Sequence, residues 1–146
     1  MTNAKHDNIA QSAGFTLLEL LIVVAVFSII MSMSIAGYRQ YITRANRVDA
    51  TTLLLRVAAA QERYYLEQNT YTDDLAALGF PNALSERGYY TLEVAPALGG
   101  LVVGYTATAT VVDDQSQSDD TKCQELTVNE SGLRSSKPED AEVCWG

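Results

Sequence analysis

Residues 15–38 read FTLLELLIVVAVFSIIMSMSIAGY, and this stretch decides the architecture of the chain. It has no charged residue between Glu19 and Arg39. Counted from Phe15, the stretch has 24 residues. As an α-helix it would be about 36 Å long, against roughly 30 Å for the hydrocarbon core of a bilayer. A buried helix of a soluble protein is seldom so long and so uniformly apolar, so we expect residues 15–38 to span a membrane.

The polar segment MTNAKHDNIAQSAG, residues 1–14, has the layout of a cytoplasmic leader that is removed. Just after it, Glu19 places a carboxylate near the end of the apolar helix. A charge inside a bilayer is unfavourable, by about 2.5–3.5 kcal/mol at the centre and less near the interface. Glu19 therefore marks a function, unless it lies at headgroup depth and has none.

The stretch GFTLLELLIV, residues 14–23, resembles the N-terminal signature of type IV prepilins and pseudopilins. The resemblance implies that prepilin peptidase cuts between Gly14 and Phe15 and that Phe15 is N-methylated. It also implies that Glu19 pairs with the N-terminal amine of a neighbouring subunit during filament assembly. Cleavage would create this amine at the membrane depth of Glu19, and opposite charges in a low dielectric stabilise each other.

A secretory signal peptide is the alternative for this segment, because Ser34-Ile35-Ala36 has the small-x-small form of a cleavage site. The mature chain would then begin at Gly37. A glutamate inside the apolar core is foreign to such signals, so we favour the prepilin interpretation.

An amphipathic helix is predicted to continue over residues 39–68, which contain no Pro or Gly. Apolar residues recur there at steps of three and four: Ala50, Leu53, Val57, Ala60 and Tyr64. Together with the apolar run this gives one helix of about 54 residues, roughly 80 Å long. Arg39, Arg44 and Arg47 follow the run directly and are predicted to form a basic collar at the bilayer surface.

The remaining residues, 69–146, are predicted to form a small globular head. A loop with a short helical turn, N-capped by Thr72, should occupy residues 69–80. Alternating patterns then predict four strands at 89–94, 105–112, 125–128 and 133–135. The expected fold is α+β and type IV pilin-like, a long N-terminal helix packed on a small antiparallel sheet.

Cys123 and Cys144 are the only cysteines, and their spacing fits neither a zinc ribbon nor a CxxC redox site. A disulfide is the simpler interpretation, and it places the head outside the cytoplasm. It would close a loop of 22 residues and contribute about 3.4 kcal/mol by loop-entropy arithmetic. The resemblance also implies it, because such a disulfide commonly holds the C-terminal segment of pilins.

Catalysis, metal sites and cofactors are not expected. The only histidine, His6, lies in the leader, and no nucleophile elbow, phosphate loop or zinc spacing is present. Asp113, Asp114, Asp119 and Asp120 could bind calcium, but they lack the alternating spacing of a calcium loop, so a solvated acidic turn is favoured. The net charge of −8 argues against a nucleic-acid partner.

The resemblance extends through ATTLLLRVAAAQERYYLEQNTYTDDLAALG, residues 50–79, which looks like the PilE-type minor pilins. It implies a minor subunit of a type IV pilus with a role in pilus assembly, adhesion and twitching motility. The partners would be major and minor pilins, held first in the inner membrane and then in an extracellular pilus. A major pilin and a pseudopilin of type II secretion remain alternatives, as does an anchored or secreted binding module that never polymerises.

Overall fold

The computed structural model describes residues 14–146, without the side chains of residues 33–36. The predicted leader lies outside these residues, apart from Gly14. One long helix is followed by four strands and a short C-terminal helix: α1 (Leu17–Gln68), β1 (Tyr90–Pro96), β2 (Tyr105–Val111), β3 (Cys123–Asn129), β4 (Arg134–Pro138) and α2 (Ala141–Trp145). A single 3-10 turn, Ser116–Asp119, lies between β2 and β3. The chain divides into two compact units at the boundary between Tyr38 and Arg39.

Helix α1 ends where Asn69 adopts a left-handed conformation with φ 55°. Asparagine tolerates this conformation better than most residues and is a common helix terminator. The side-chain amide of Gln61 then holds the returning chain, since it donates to the Thr72 carbonyl at 2.5 Å and accepts from the Thr72 N–H at 3.1 Å. Gln61 is fully buried, so these two bonds satisfy a polar side chain that would otherwise destabilise the interior.

The turn after α1 differs in one detail from the sequence prediction. Thr72 does not cap a helix: its hydroxyl accepts from the N–H of Asp74. Asp74 stabilises the following turn, because its Oδ1 accepts from the N–H of Ala76 at 2.9 Å. Residues 75–79 form turns rather than a helix.

The four strands form one antiparallel sheet in the order β1-β2-β3-β4. Burial alternates along β1 and β2, as expected for strands with one buried face. The sheet contributes Tyr90, Leu92, Val94, Tyr105, Ala107, Ala109, Leu126 and Val128 to the core, and α1 contributes Ala50, Leu53, Leu54 and Val57. The predicted α+β fold, a long helix packed on a small antiparallel sheet, is confirmed.

The strand boundaries depart from the prediction mainly at β3 and β4. Strand β3 begins at Cys123 rather than residue 125, and β4 runs to Pro138 although its sequence, RSSKP, has little strand propensity. Tertiary contacts hold β4: it pairs with β3, and the Trp145 Nε1–H donates to the Ser135 carbonyl at 2.9 Å. Short-range patterning does not contain these contacts.

Candidate functional site

The N-terminal site begins with a helix cap. The Thr16 hydroxyl accepts from the N–H of Glu19 at 3.2 Å, which satisfies one of the amides that a helix leaves unpaired at its start. Thr16 and Glu19 have the spacing of a capping box, in which the glutamate would bond back to the threonine. Among residues 14–146, however, no group bonds the Glu19 carboxylate, so the first turn presents a free acceptor beside Phe15.

The apolar run after this cap exposes its side chains on every face. Phe15, Leu17, Leu20 and Ile29 are all more than half exposed, and α1 is long and apolar enough to cross a membrane. A helix that is apolar all round needs lipid or other helices to cover it. The geometry of this segment therefore suits both a membrane and a bundle of similar helices.

A buried ion pair, which the sequence did not reveal, lies between α1 and the segment before β3. The Arg47 guanidinium donates from Nε to Asp120 Oδ2 at 2.7 Å and from Nη2 to Oδ1 at 2.9 Å. Its Nη1 donates to the Val143 carbonyl at 3.0 Å. Gln117 joins this cluster by donating to Asp120 Oδ2 and to the Thr43 carbonyl. One arginine thus fixes residues 113–120, which we call the acidic segment, and the C-terminal helix to α1.

This cluster corrects two sequence predictions. Arg47 does not belong to a basic collar, because it is only 7% exposed, whereas Arg39 and Arg44 are exposed. The four aspartates are not all part of a solvated turn either: Asp113, Asp114 and Asp119 are exposed, but Asp120 is buried.

The sequence contained one indication that Arg47 is buried, namely its spacing from the apolar residues of α1. Residue 47 continues the buried stripe of α1 through residues 50, 54, 57 and 61.

No group of carboxylates, histidines and cysteines suited to a metal ion occurs within residues 14–146. The hydrogen bonds of Asp120 and Gln117 hold the acidic segment to α1, and Asp113, Asp114 and Asp119 remain exposed.

The C-terminal segment is held by a disulfide between Cys123, at the start of β3, and Cys144, in α2. Both half-cystines are buried. The Arg134 guanidinium lies 4.9 Å from the Trp145 ring centroid, a geometry in which cation and ring attract each other. Through these contacts the last six residues pack against β3 and β4 instead of forming a free tail.

Tyrosines fill the space between the end of α1 and the sheet. Tyr65 stacks on Tyr71 with ring centroids 4.7 Å apart, and Tyr71 contacts Tyr105 at 4.9 Å. The Tyr71 hydroxyl donates to Glu62, and burial raises the pKa of Tyr71 above its usual value. Burial also raises the pKa of Tyr105 and of Tyr90. These rings are packing elements between the end of α1 and the sheet.

Comparison with known proteins identifies the family. The model of the family described as "Type IV minor pilin ComP, DNA uptake sequence receptor" matches residues 36–127, which is more than half of the chain. A second model, the prokaryotic N-terminal methylation motif, matches residues 9–35. The families are structural pilins rather than enzymes.

Curated relatives are pilins as well. The type IV major pilin protein PilE of Neisseria gonorrhoeae is 33% identical over 81 residues, which cover 56% of this chain and 48% of PilE. The type IV wide pilus major component PilA4 of Thermus thermophilus is 40% identical over 65 residues, 44% of this chain and 50% of PilA4. The chain thus spans about half the length of these relatives.

Among solved structures, a type IV pilin from Shewanella oneidensis has the same fold, with a TM-score of 0.50 and 23% identity over 71% of this chain and 98% of that one. The family match, the methylation motif and the shared fold lead to one conclusion: the chain belongs to the type IV pilins, in the family described as type IV minor pilin ComP, DNA uptake sequence receptor.

Proposed function

We propose that this pilin is a minor subunit of a type IV pilus that supports pilus assembly, and through it adhesion and twitching motility. In this proposal prepilin peptidase cleaves between Gly14 and Phe15, and Phe15 is methylated. Residues 15–38 hold the subunit in the inner membrane by a single pass until it enters the pilus, and residues 39–68 and 69–146 remain outside the cytoplasm as amphipathic helix and head.

The observation that carries the proposal is the unpaired Glu19 carboxylate in the first turn of an all-round apolar helix. A charge that its own chain leaves unpartnered within residues 14–146 is unfavourable in lipid. The amine created at Phe15 of a neighbouring subunit would neutralise it at the same depth. The minor-pilin family match over residues 36–127 supports a low-abundance subunit.

The experiment is quantitative mass spectrometry of filaments sheared from cells that express the wild type or Glu19→Ala. We expect methylated Phe15 at a small fraction of the dominant subunit for the wild type, and loss of incorporation for Glu19→Ala. Glu67→Ala, which removes an exposed carboxylate from the same helix, is the matched control and should incorporate normally. Incorporation of Glu19→Ala at the wild-type level would reject the assembly role of Glu19.

Two other outcomes separate the alternatives. If the protein is the most abundant subunit of the filament, it is a major pilin. If it is processed at Phe15 but occurs only in filaments that depend on a type II secretion system, it is a pseudopilin. A mature chain that begins at Gly37 and never enters filaments would instead support the secreted binding module.

A second candidate function, DNA reception, is suggested by the matching family, which is described as a DNA uptake sequence receptor. Lys122 lies just before β3, Arg134 and Lys137 lie in β4, and all three could contact phosphates. Lys137, however, already pairs with Glu125 at 2.8 Å, and residues 69–146 contain thirteen carboxylates against four cations. This charge balance weakens phosphate binding, so we rank DNA reception second.

A gel-shift titration of duplex DNA against the full chain in detergent tests this second candidate. Binding that weakens as salt rises, and that is reduced in Lys122→Ala and Arg134→Ala, would establish DNA reception. No retardation at low salt would exclude it, because phosphate contacts are strongest there.

A further inference from the structure

The face of the sheet that points away from the core is rich in threonine. In β2, Ala107 and Ala109 are buried in the core, so the residues between and beside them point outward. The same alternation turns one set of side chains outward in every strand, and these are exposed or half-buried. We call this set the outer face: Thr91, Glu93, Ala95, Thr106, Thr108, Thr110, Glu125, Thr127, Asn129, Ser135 and Lys137.

Strand pairing aligns hydroxyl-bearing side chains in a row across the outer face. Thr108 pairs with Thr127, and Thr127 pairs with Ser135. Because neighbouring strands lie about 4.8 Å apart, each strand adds one such side chain at that interval. Along β2, Thr106 and Thr110 stand on either side of Thr108, each at about 6.8 Å. The outer face is therefore a small lattice of hydroxyl groups.

The hydroxyl groups of this row are free to bind a partner. In the part of the chain that the structure describes, no protein group bonds the hydroxyls of Thr108, Thr127 or Ser135. At the margin of the outer face, by contrast, the Thr91 hydroxyl donates to the Thr110 carbonyl at 3.2 Å. Each free hydroxyl offers one donor and two acceptor sites. A partner that itself carries hydroxyl groups can use both kinds of site at once.

The centre of the outer face is uncharged, and its margin is slightly acidic. Lys137 pairs with Glu125 at 2.8 Å, whereas Glu93, at the opposite margin, forms no ion pair among residues 14–146. Residues 69–146 as a whole contain thirteen carboxylates against four cations. An acidic surface repels polyanions, so the distribution of charge favours a neutral partner.

The size of the outer face restricts the partner further. Its four strands, at about 4.8 Å from one to the next, span about 14 Å. This surface holds far fewer residues than the 20–30 that each side of a stable protein interface contributes. A row of this width has the length of a short oligosaccharide. In an extended β-1,4-linked chain the sugar repeat is close to the strand spacing, so consecutive sugars can face Thr108, Thr127 and Ser135.

We propose that the outer face binds a neutral, extended β-1,4-linked polysaccharide, which lies across the strands along the row of Thr108, Thr127 and Ser135. Each contact is weak, because a hydrogen bond to the sugar replaces a hydrogen bond to water. A polymer presents many equivalent segments, so it can engage several heads at once and bind them more tightly than one. The inference goes beyond the proposed function, since it names a ligand that one head binds whether or not it is part of a pilus.

Titration calorimetry of the full chain in detergent, with hexasaccharides of equal length, tests the class of ligand. Cellohexaose is neutral and extended, maltohexaose is neutral and coiled, and an alginate hexasaccharide is extended and anionic. We expect cellohexaose to bind about tenfold more tightly than either of the others, as for an equilibrium that differs by 1.4 kcal/mol. No binding of cellohexaose, or binding of maltohexaose or the alginate hexasaccharide that is at least as tight, would overturn the inference.

A double variant, Thr108→Val with Thr127→Val, tests whether the hydroxyl row makes the contact. Valine has the size and branching of threonine and suits a strand equally well, so the sheet should fold, which circular dichroism checks. We expect cellohexaose to bind about tenfold more weakly, the effect of two lost hydrogen bonds of ordinary strength. Thr52→Val, exposed on α1, is the matched control and should bind like the wild type. Unchanged binding to the double variant would contradict the proposed contact, and incorporation into filaments tests the proposed function separately.

Discussion

Arg47 and Asp120 are 73 positions apart in the chain and form a bidentate ion pair at 2.7 and 2.9 Å. Their side chains are only 8% and 2% exposed. Asp120 also accepts from the backbone N–H groups of Lys122 and Cys123, so the pair sits where the acidic segment, the disulfide and α1 meet. A buried carboxylate with this many donors organises the chain around it.

Removal of one partner of this pair should destabilise the protein strongly. Asp120→Ala leaves the Arg47 guanidinium buried without a counter-charge, and breaking a buried pair in this way costs about 3–5 kcal/mol. Chemical denaturation of the full chain in detergent, followed by circular dichroism, measures the free energy of unfolding. Asp119→Ala, an exposed neighbour, is the control and should change stability by no more than about 0.5 kcal/mol. Equal effects of the two substitutions would mean that the pair contributes nothing.

Much of the fold was predictable from sequence because its signals are periodic and local. The apolar stripe of α1, which includes Leu53 and Val57, indicates which face of the helix is buried. The alternation along β1 and β2 does the same for the sheet. The ion pair was not predictable in this way. Arg47 lies on the buried stripe, but an arginine after an apolar run also fits a membrane surface, and only the folded path of residues 112–122 brings Asp120 to it.

The candidate site, too, could be predicted from the sequence only in part. Gly14, Phe15 and Glu19 lie within one short motif, so the resemblance of residues 14–23 to prepilins identified them, and their processing and assembly roles remain predictions. The exposed apolar side chains of Val102 and Leu133 lie at the same end of the sheet only because β2 pairs with β3. The sequence does not show that Val102 and Leu133 are exposed, because valine and leucine are usually buried in a core.

Loss of the disulfide should lower stability through the unfolded chain. Replacing Cys123 and Cys144 together with serine removes a constraint on a loop of 22 residues, for which chain entropy gives about 3.4 kcal/mol. Chemical denaturation of the variant, against the oxidised and the reduced wild type, checks this value. The reduced wild type should be destabilised by a similar amount, because it loses the same constraint while it keeps both cysteines. A much smaller effect in both would show that α2 holds the segment without the bond.

Stability should fall at alkaline pH because of buried tyrosines. Burial raises the pKa of Tyr90, aided by the negative charge of Asp120, and burial likewise raises that of Tyr105. The folded state therefore keeps these phenolic protons more tightly than the unfolded state does. The stability that they contribute is complete below about pH 10, the ordinary tyrosine value, and is lost as pH rises above it.

Tyr90→Phe isolates this effect. The Tyr90 hydroxyl is buried beside the Gln117 side chain, which partly offsets the rise in its pKa, and it makes no hydrogen bond of good geometry among residues 14–146, so its removal should change stability at pH 7 by no more than about 1 kcal/mol. Denaturation series from pH 8 to pH 11.5 should show a shallower decline for Tyr90→Phe than for the wild type. Tyr41→Phe, at an exposed position, should follow the wild-type curve. A decline in Tyr90→Phe as steep as that of the wild type would exclude Tyr90 as a source.

A side chain at Gly104 should displace the Glu130 carboxylate. A Cβ at this position would lie 2.6 Å from Oε2 and 2.9 Å from Cγ of Glu130, so Gly104→Ala must move the end of the glutamate side chain. Because this end is flexible, we expect a loss of no more than about 1 kcal/mol, the low end for overpacked sites. A double-mutant cycle with Glu130→Ala separates this clash from the intrinsic effect of alanine, because the clash disappears when the glutamate side chain is removed. If Gly104→Ala is equally destabilising in both backgrounds, the glycine is required by the backbone of the loop and not by Glu130.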